Sequence, residues 1–293
     1  MAHVLVNGPA SWNTLVRLPR LPAPVSQTLF ATSHDDGLGG TSAGKAVTLA
    51  ALGIDVTLRT VLGDDPFGAL VRSALDHPRV TVVAQPAVAG RTERHVNLMA
   101  DDGSRVSIYL ELPTPVAGPV PPFAGIDAAV LDLADHSRPL LAAARAAGVP
   151  VWCDVHDDDG AADYPRDFVA AADVLLVSAA RLADRRAYLT DAVARGCRLA
   201  VCTDGAAGAL ARDADGWIEV GTAPATAVDT DGAGDAFLAG LLTAVLDGLP
   251  TTGALAHAAA AGALAVGTRS LGAPNATRAE VARLAAGVSV RRA

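Results

Sequence analysis

The chain has 293 residues, of which 51% are hydrophobic and 18% charged, and its formal net charge is -8 at pH 7. Apolar content of this size can bury a core, which excludes a wholly disordered chain. The acidic balance, without a run of basic residues, provides no positive stripe for a nucleic acid. The apolar stretches are too short for a bilayer span and the N-terminus lacks a signal-peptide pattern, so we expect a soluble, cytoplasmic protein without nucleic-acid or membrane partners.

The first part of the chain alternates strand and helix patterns. A strand is predicted at residues 4–6, a helix at 43–52 and a strand at 56–62. The segments 25–38 and 91–112 break this alternation, and the second carries alternating polar and apolar residues around a turn that favours a hairpin. We expect these two inserted segments to form a small antiparallel β lid.

From residue 128 onward the alternation is regular. Strands alternating with helices predict a doubly wound, mostly parallel central sheet with helices on both faces. No linker composition interrupts the chain, so residues 1–293 are expected to form a single α/β domain. The predicted strands are 128–133, 151–155, 174–177 and 199–203, the predicted helices are 138–147, 182–195, 232–246, 252–266 and 278–286, and a hairpin covers 209–220.

Residues 229–237 (DTDGAGDAF) carry the most chemical information, because a small-residue turn leads directly into a helix. Helix N-termini present unpaired backbone N–H groups, and glycine lets an anion approach them closely. Asp235, in the first turn, is placed to accept a proton from a substrate hydroxyl while the neighbouring amides stabilise a transferring phosphoryl group. The pattern alone leaves open that Asp235 only caps an ordinary helix.

The segment 229–235 is similar to the C-terminal signature of the ribokinase-like (PfkB) carbohydrate and nucleoside kinases. Gly39-Gly40 and the residues up to 68 resemble the N-terminal signature of the same family, and further likenesses lie at 172–173, 203–208 and 272–273. The resemblance spans nearly the whole chain. It implies a ribokinase-like fold and transfer of the γ-phosphoryl group of ATP to a hydroxyl, of the hydroxymethyl type, on a sugar or nucleoside.

The resemblance also implies roles for individual residues. Asp235 is the implied catalytic base, the implied cofactors are ATP and Mg²⁺, and a homodimer formed through the lid is the implied assembly. A monovalent cation such as K⁺ is implied at Asp229 and Asp231. The amides of Gly232, Ala233 and Gly234 are the implied anion hole, the implied nucleotide-binding residues are Thr203, Asp204, Gly205, Gly208, Thr230 and Gly272, and the implied substrate-binding residues are Ser11, Asn13, Gly39, Gly40 and Asp235.

Several positions depart from the family pattern. Asn13 stands where the family has a substrate-anchoring Asp, and Gly44 stands where an Asn usually follows the diglycine. Ser178 and Arg181 occupy the two key positions of the Asn-x-x-Glu motif that orders Mg²⁺. These departures leave open an alternative function, a catalytically silent descendant of the family that binds a sugar, nucleoside or nucleotide.

Lys45 is the single lysine among 23 basic residues. Its place in a predicted helix is compatible with a substrate or phosphate contact, or with an ordinary solvated position. Residues 39–46 nearly match a Walker A loop, but Ala46 lacks the hydroxyl that binds Mg²⁺. The cluster at 156–159 (HDDD) has metal-ligand chemistry, although acidic loop tips are more commonly solvated.

Overall fold

A computed structural model describes residues 2–293. The strands are β1 (His3–Asn7), β2 (Ser11–Leu18), β3 (Ser33–Gly39), β4 (Asp55–Leu62), β5 (Val80–Pro86), β6 (Arg94–Ala100), β7 (Arg105–Glu111), β8 (Ala128–Leu131), β9 (Val151–Asp154), β10 (Val174–Ser178), β11 (Leu199–Thr203), β12 (Ala209–Asp213), β13 (Gly216–Val220) and β14 (Val290–Arg292). The helices are α1 (Thr41–Ala51), α2 (Pro66–Ala74), α3 (Arg138–Ala146), α4 (Arg166–Ala171), α5 (Arg185–Ala194), α6 (Ala233–Leu246), α7 (Thr251–Val266) and α8 (Arg278–Ala285).

The larger sheet has ten strands in the order β14-β13-β12-β11-β10-β9-β8-β1-β4-β5. Pairing is parallel from β5 through to β11 and antiparallel from β11 to β14. Two apolar layers cover it, one where α1, α6 and α7 pack and one where α3, α4 and α5 pack. The predicted doubly wound, mostly parallel sheet is therefore confirmed.

A second sheet of four strands, in the order β3-β2-β6-β7, is called the small sheet here. Its outer pairs are antiparallel, as expected of a β lid, whereas its central pair β2–β6 is parallel. The sequence placed the lid at 25–38 and 91–112, but residues 25–32 contain no strand and Ser11–Leu18 supplies the strand that was missed. Because β2 pairs with a strand far along the chain, its place in the small sheet has no local sequence signal.

Parallel pairing brings the carboxyl ends of the central strands to one edge of the larger sheet. Asp132 directly follows β8, Asp154 is the last residue of β9, and Ser178 and Thr203 end β10 and β11. In open α/β sheets this edge is where ligands bind. Within residues 2–293, no helix combines the length and apolar character needed to cross a bilayer.

Candidate active site

The turn before α6 brings backbone amides to the edge formed by the carboxyl ends of the central strands. Gly232 has a φ of 74°, and a Cβ there would lie 2.5 Å from the nitrogen of Gly272, so the two loops approach without room for a side chain. A Cβ placed on Gly234 would meet no atom within 4 Å. The first turn of α6 therefore borders open space at Gly234, while the amide of Ala233 donates a long hydrogen bond of 3.4 Å to the carbonyl oxygen of Thr230. Amides at such a helix start are the groups that an anion can approach.

Asp235 lies in the first turn of α6 and is only 8% exposed. Its Oδ1 accepts hydrogen bonds from the Lys45 ammonium at 2.7 Å and from the Thr41 hydroxyl. Burial raises the pKa of Asp235 to about 6, while the attraction of Lys45 acts in the opposite direction. A carboxyl group with a pKa near neutrality suits proton transfer at physiological pH.

Gly44 makes room for this carboxylate. A Cβ at position 44 would lie 2.7 Å from Oδ2 of Asp235. Since real Cβ atoms do not approach an oxygen this closely, any side chain here would displace the carboxylate. In this chain, the position of Asp235 therefore depends on the absence of a side chain at Gly44.

Lys45 is fully buried, which contradicts a solvated helix position. Its Nζ lies 3.0 Å from Oδ1 of Asp132, 3.3 Å from Oδ2 of Asp154 and 2.7 Å from Oδ1 of Asp235. The ammonium thus faces three carboxylates, and a contact of Lys45 with substrate or phosphate stays a prediction. It lies inside α1, which follows a strand of the small sheet, and not in a Walker A loop after a buried central strand.

The inner face of the small sheet carries buried polar side chains near the diglycine. Asn13 is 4% exposed and accepts a hydrogen bond from the backbone of His95 at 3.2 Å. A Cβ on Gly39 would lie 2.0 Å from Nδ2 of Asn13 and 2.8 Å from Oγ of Ser11. The structure therefore brings together Ser11, Asn13 and Gly39, three of the predicted substrate-binding residues.

Residues that the sequence did not single out extend this polar face. His95 contacts Oε1 of Glu93 at 2.9 Å, and its ring centre lies 3.9 Å from that of Tyr109. Within residues 2–293, Oγ of Ser11 and Oδ1 of Asn97 are buried without a hydrogen-bond partner. Buried polar atoms are normally paired, so these two are candidates for contact with a bound hydroxyl group. The alternation of β6 was the signal that could have placed His95 and Asn97 on one face.

A cleft of about 420 Å³ lies between the small sheet on one side and, on the other, the loop before α6 and the loop after α7. Asn13 and Arg17 line it on one side, and Asp229 and Asp231 line it on the other, whereas Asp235 is not among its lining residues. Arg17 pairs with Asp229 at 2.8 Å and Arg105 pairs with Asp231 at 2.7 Å. The cation site at Asp229 and Asp231 stays a prediction, since here both carboxylates face arginines of the small sheet.

The residues predicted to bind the nucleotide lie on three loops. Thr203 ends β11, and the turn after it leads to Gly208, whose φ is 89° and whose Cβ would lie 2.1 Å from the carbonyl oxygen of Val220. Asp204 pairs with Arg185 at 2.8 Å. On the loop after α7, Gly272 packs against the turn before α6. The remaining predicted residues are exposed: Gly205 lies on the loop after β11 and Thr230 in the turn before α6.

The position of the Asn-x-x-Glu motif offers no carboxylate to a metal. Ser178 accepts a hydrogen bond from the amide of Ala180, and Arg181 pairs with Asp159 at 3.0 Å. In the part of the chain that the structure describes, no group of three or more His, Cys, Asp or Glu side chains is arranged to hold a metal ion. Because Mg²⁺ at phosphate sites is usually held by one or two carboxylates together with phosphates and waters, its use stays a prediction. The metal alternative at 156–159 gains no support.

Comparison with known proteins identifies the family that the sequence resembles. The profile of the pfkB family carbohydrate kinases matches residues 131–278. The acarbose 7(IV)-phosphotransferase of an Actinoplanes species is 34% identical over 278 residues, covering 89% of this chain and 91% of that protein. The ATP-dependent ribose-1-phosphate kinase of Halopiger xanaduensis is 33% identical over 282 residues, covering 91% of this chain and 93% of that protein.

Solved structures give the same result for the fold. A microbiome-derived acarbose kinase superposes with a TM-score of 0.83 at 30% sequence identity, covering 97% of this chain and 99% of the other. An Arabidopsis thaliana ribokinase, solved with ribose and ATP, superposes with a TM-score of 0.75 at 24% identity, covering 97% of this chain and 99% of the other. The architecture expected from the sequence is thus shared with known kinases.

Proposed function

Because this chain belongs to the pfkB family of carbohydrate kinases, we propose that it transfers the γ-phosphoryl group of ATP to a hydroxymethyl-type hydroxyl of a sugar, with Asp235 as general base. The observation that carries the proposal is the position of Asp235. Its carboxylate is nearly buried at the start of α6, beside a backbone turn that borders open space. A base and an anion site on one helix turn are what phosphoryl transfer requires.

The proposed reaction is a direct displacement at phosphorus. Oδ2 of Asp235 accepts the proton of the acceptor hydroxyl as the acceptor oxygen forms a bond to the γ-phosphorus. The bond from that phosphorus to the bridging oxygen of ADP breaks, and its electron pair leaves with ADP. The amides of Gly232, Ala233 and Gly234 donate hydrogen bonds to the transferring group, and Asp235 later releases the proton to water.

The acceptor is proposed to lie against the inner face of the small sheet. Ser11, Asn13, Gly39 and Gly40 are the proposed contacts, and the unpaired Oδ1 of Asn97 supports this placement. Asn13 both donates and accepts hydrogen bonds, which suits sugar hydroxyls. Both relatives named above are kinases of sugars by name, which favours a sugar over a nucleoside as the acceptor.

The nucleotide is proposed to lie on the other side of the anion hole. Thr203, Asp204, Gly205, Gly208, Thr230 and Gly272 are the proposed contacts. Kinases of this family use ATP, generally with Mg²⁺. At the position of the metal-ordering motif, Ser178 and Arg181 offer no carboxylate to this ion.

The proposal is tested by measuring ADP release with ATP and Mg²⁺ over a panel of pentoses, hexoses, ribose 1-phosphate, acarbose and nucleosides. We expect turnover that depends on one class of sugar and falls by about 10³-fold or more in Asp235→Asn, which keeps the shape of the side chain but removes the base. Asp191→Asn, at an exposed position of α5, is the matched control and should retain full activity. Full activity of Asp235→Asn would refute the proposed base.

A second candidate function is a catalytically silent binder of a sugar, nucleoside or nucleotide. It is motivated by the loss of the metal-ordering motif at Ser178 and Arg181. Calorimetric binding of a panel member without turnover, at any Mg²⁺ concentration, would favour the binder. Acceptor-dependent turnover would exclude it.

We also propose that two copies of the chain associate through the small sheet. Its edge strand β7 exposes Val106, Ile108 and Leu110 by 42%, 44% and 48%, and an exposed apolar edge strand is a template for pairing. Light scattering should give twice the mass of one chain. Ile108→Asp should halve that mass, and a wild-type mass of a single chain would refute the dimer.

A further inference from the structure

Lys45 lies at the meeting point of three elements of the fold. It projects from α1 toward Asp132 after β8, Asp154 at the end of β9 and Asp235 at the start of α6, with its ammonium within 3.3 Å of a carboxylate oxygen of each. Its side chain is 0% exposed. An ammonium group buried this completely is stable only when it is paired, and here it has three partners of opposite charge.

The charges of this cluster keep Lys45 protonated. Burial alone would lower the pKa of Lys45, but the attraction of Asp132, Asp235 and Asp154 raises it above the usual value for lysine. The group is therefore a fixed positive charge throughout the working pH range. Its carboxylate partners outnumber it, so the cluster tolerates the loss of a negative charge more easily than the loss of Lys45.

The same contacts determine which oxygen of Asp235 is available. Oδ1 accepts from the Lys45 ammonium and from the Thr41 hydroxyl, and that hydroxyl accepts in turn from Lys45. Within residues 2–293, Oδ2 accepts no hydrogen bond of this kind and instead lies against the open backbone of Gly44. Two donors on one oxygen orient the carboxylate and leave the other oxygen for an incoming hydroxyl.

Burial and Lys45 oppose each other at Asp235. Burial raises the pKa of Asp235 and Asp154 adds to the rise, whereas the charge and hydrogen bond of Lys45 lower it. Without Lys45, the carboxyl would hold its proton at higher pH and could not accept one from a substrate. His156, whose Nδ1 lies 3.6 Å from Oδ2 of Asp154, is a further titratable group near the cluster.

We propose that Lys45 is a positioning residue for the phosphoryl transfer, an internal counter-ion that holds Oδ1 of Asp235 so that Oδ2 stays ionised and aimed at the acceptor hydroxyl. This inference rests on the proposed role of Asp235 as base. Lys45 itself touches neither substrate. Its contribution is transmitted through Asp235 and Thr41.

The test is the pH profile of kcat/KM for the acceptor in two variants whose charge changes have opposite signs. Lys45→Met keeps most of the length of the side chain without its charge, so the acidic limb should move up by about one pH unit or more and activity at pH 7 should fall about twofold or more. Asp154→Asn removes a charge that raises the pKa of Asp235, so its acidic limb should move down.

A merely structural role for Lys45 predicts a different result, an equal loss at every pH with the acidic limb unmoved. That result, or limbs that move in the same direction in the two variants, overturns the inference. If thermal melting shows that Lys45→Met does not fold, the double variant Lys45→Met/Asp132→Asn restores the charge balance and takes its place with the same expectation. An unmoved acidic limb in this double variant would overturn the inference as well.

Failure of this inference can be told apart from failure of the proposed function. If Asp235→Asn abolishes turnover while Lys45→Met keeps the wild-type profile, only the role of Lys45 is refuted. If Asp235→Asn is fully active, the proposed base is refuted as well. Lys45→Met is compared with Arg291→Ala, which removes a positive charge from an exposed position.

Discussion

We predict that Gly44→Ala lowers kcat strongly while changing the free energy of unfolding little. The added methyl would lie 2.7 Å from Oδ2 of Asp235 and 3.2 Å from its Cβ and Cγ. Restoring ordinary contact requires a shift of about 0.7 Å, and a misplacement of about 1 Å at a reacting group costs on the order of 100-fold in rate. We therefore expect kcat to fall about 30- to 100-fold.

The stability of the same variant should change little. Overpacking costs about 1–3 kcal/mol, but alanine is better than glycine inside a helix by about 1 kcal/mol, so the net loss should lie between about 0 and 2 kcal/mol. Steady-state kinetics and urea unfolding measure the two effects separately. The matched control is Gly253→Ala in α7, whose Cβ would approach no atom closer than 3.7 Å and which should leave kcat unchanged. A wild-type kcat in Gly44→Ala would refute the steric reasoning.

Three further predictions concern a buried ion pair, a second ion pair at the edge of the larger sheet, and the three cysteines. Arg17→Ala leaves the buried Asp229 carboxylate without its partner at 2.8 Å. Urea unfolding should show a free energy of unfolding lower by about 1–3 kcal/mol, against less than about 0.5 kcal/mol for Arg291→Ala at an exposed position. Equal losses in the two variants would contradict the role of burial. Arg292 lowers the pKa of Asp213 through two hydrogen bonds. Arg292→Ala should therefore lower the free energy of unfolding by about 1 kcal/mol at pH 7. The difference in stability between wild type and variant should vanish as the pH falls below about 3.9 and through the lowered pKa. Burial raises the pKa of Cys153, Cys197 and Cys202, the latter two to about 11; a thiol reagent at pH 7 should label none of them in the native protein and all of them in guanidinium, and rapid native labelling would contradict their burial.

The sequence predicted the larger sheet because its signals are local. Apolar strand segments alternate with helical ones, and the predicted helix at 232–246 differs from Ala233–Leu246 by one residue at its start. Helix α2 (Pro66–Ala74) was not predicted, although Asp65 caps it and Pro66 opens it, both recognised signals for a helix start. The local sequence therefore signals the start of α2 as well as the elements that were predicted.

The arrangement around Lys45 could not be predicted in the same way. A charged residue inside a helical pattern normally marks a solvated face, and the three carboxylates that reverse this expectation come from positions 132, 154 and 235. Only the assembled sheet edge brings them together. The one available signal was compositional, since the chain otherwise uses arginine for all its basic residues.

Gly40 is the sole residue between β3 and α1, and its φ is 92°. A strand of the small sheet is therefore covalently joined, through one hinge position, to Thr41, whose hydroxyl contacts Asp235. If Asp235 is the base as proposed, a movement of the small sheet about this joint would also change the contact between Thr41 and Asp235, so that the position of the lid and the alignment of the proposed base would be coupled.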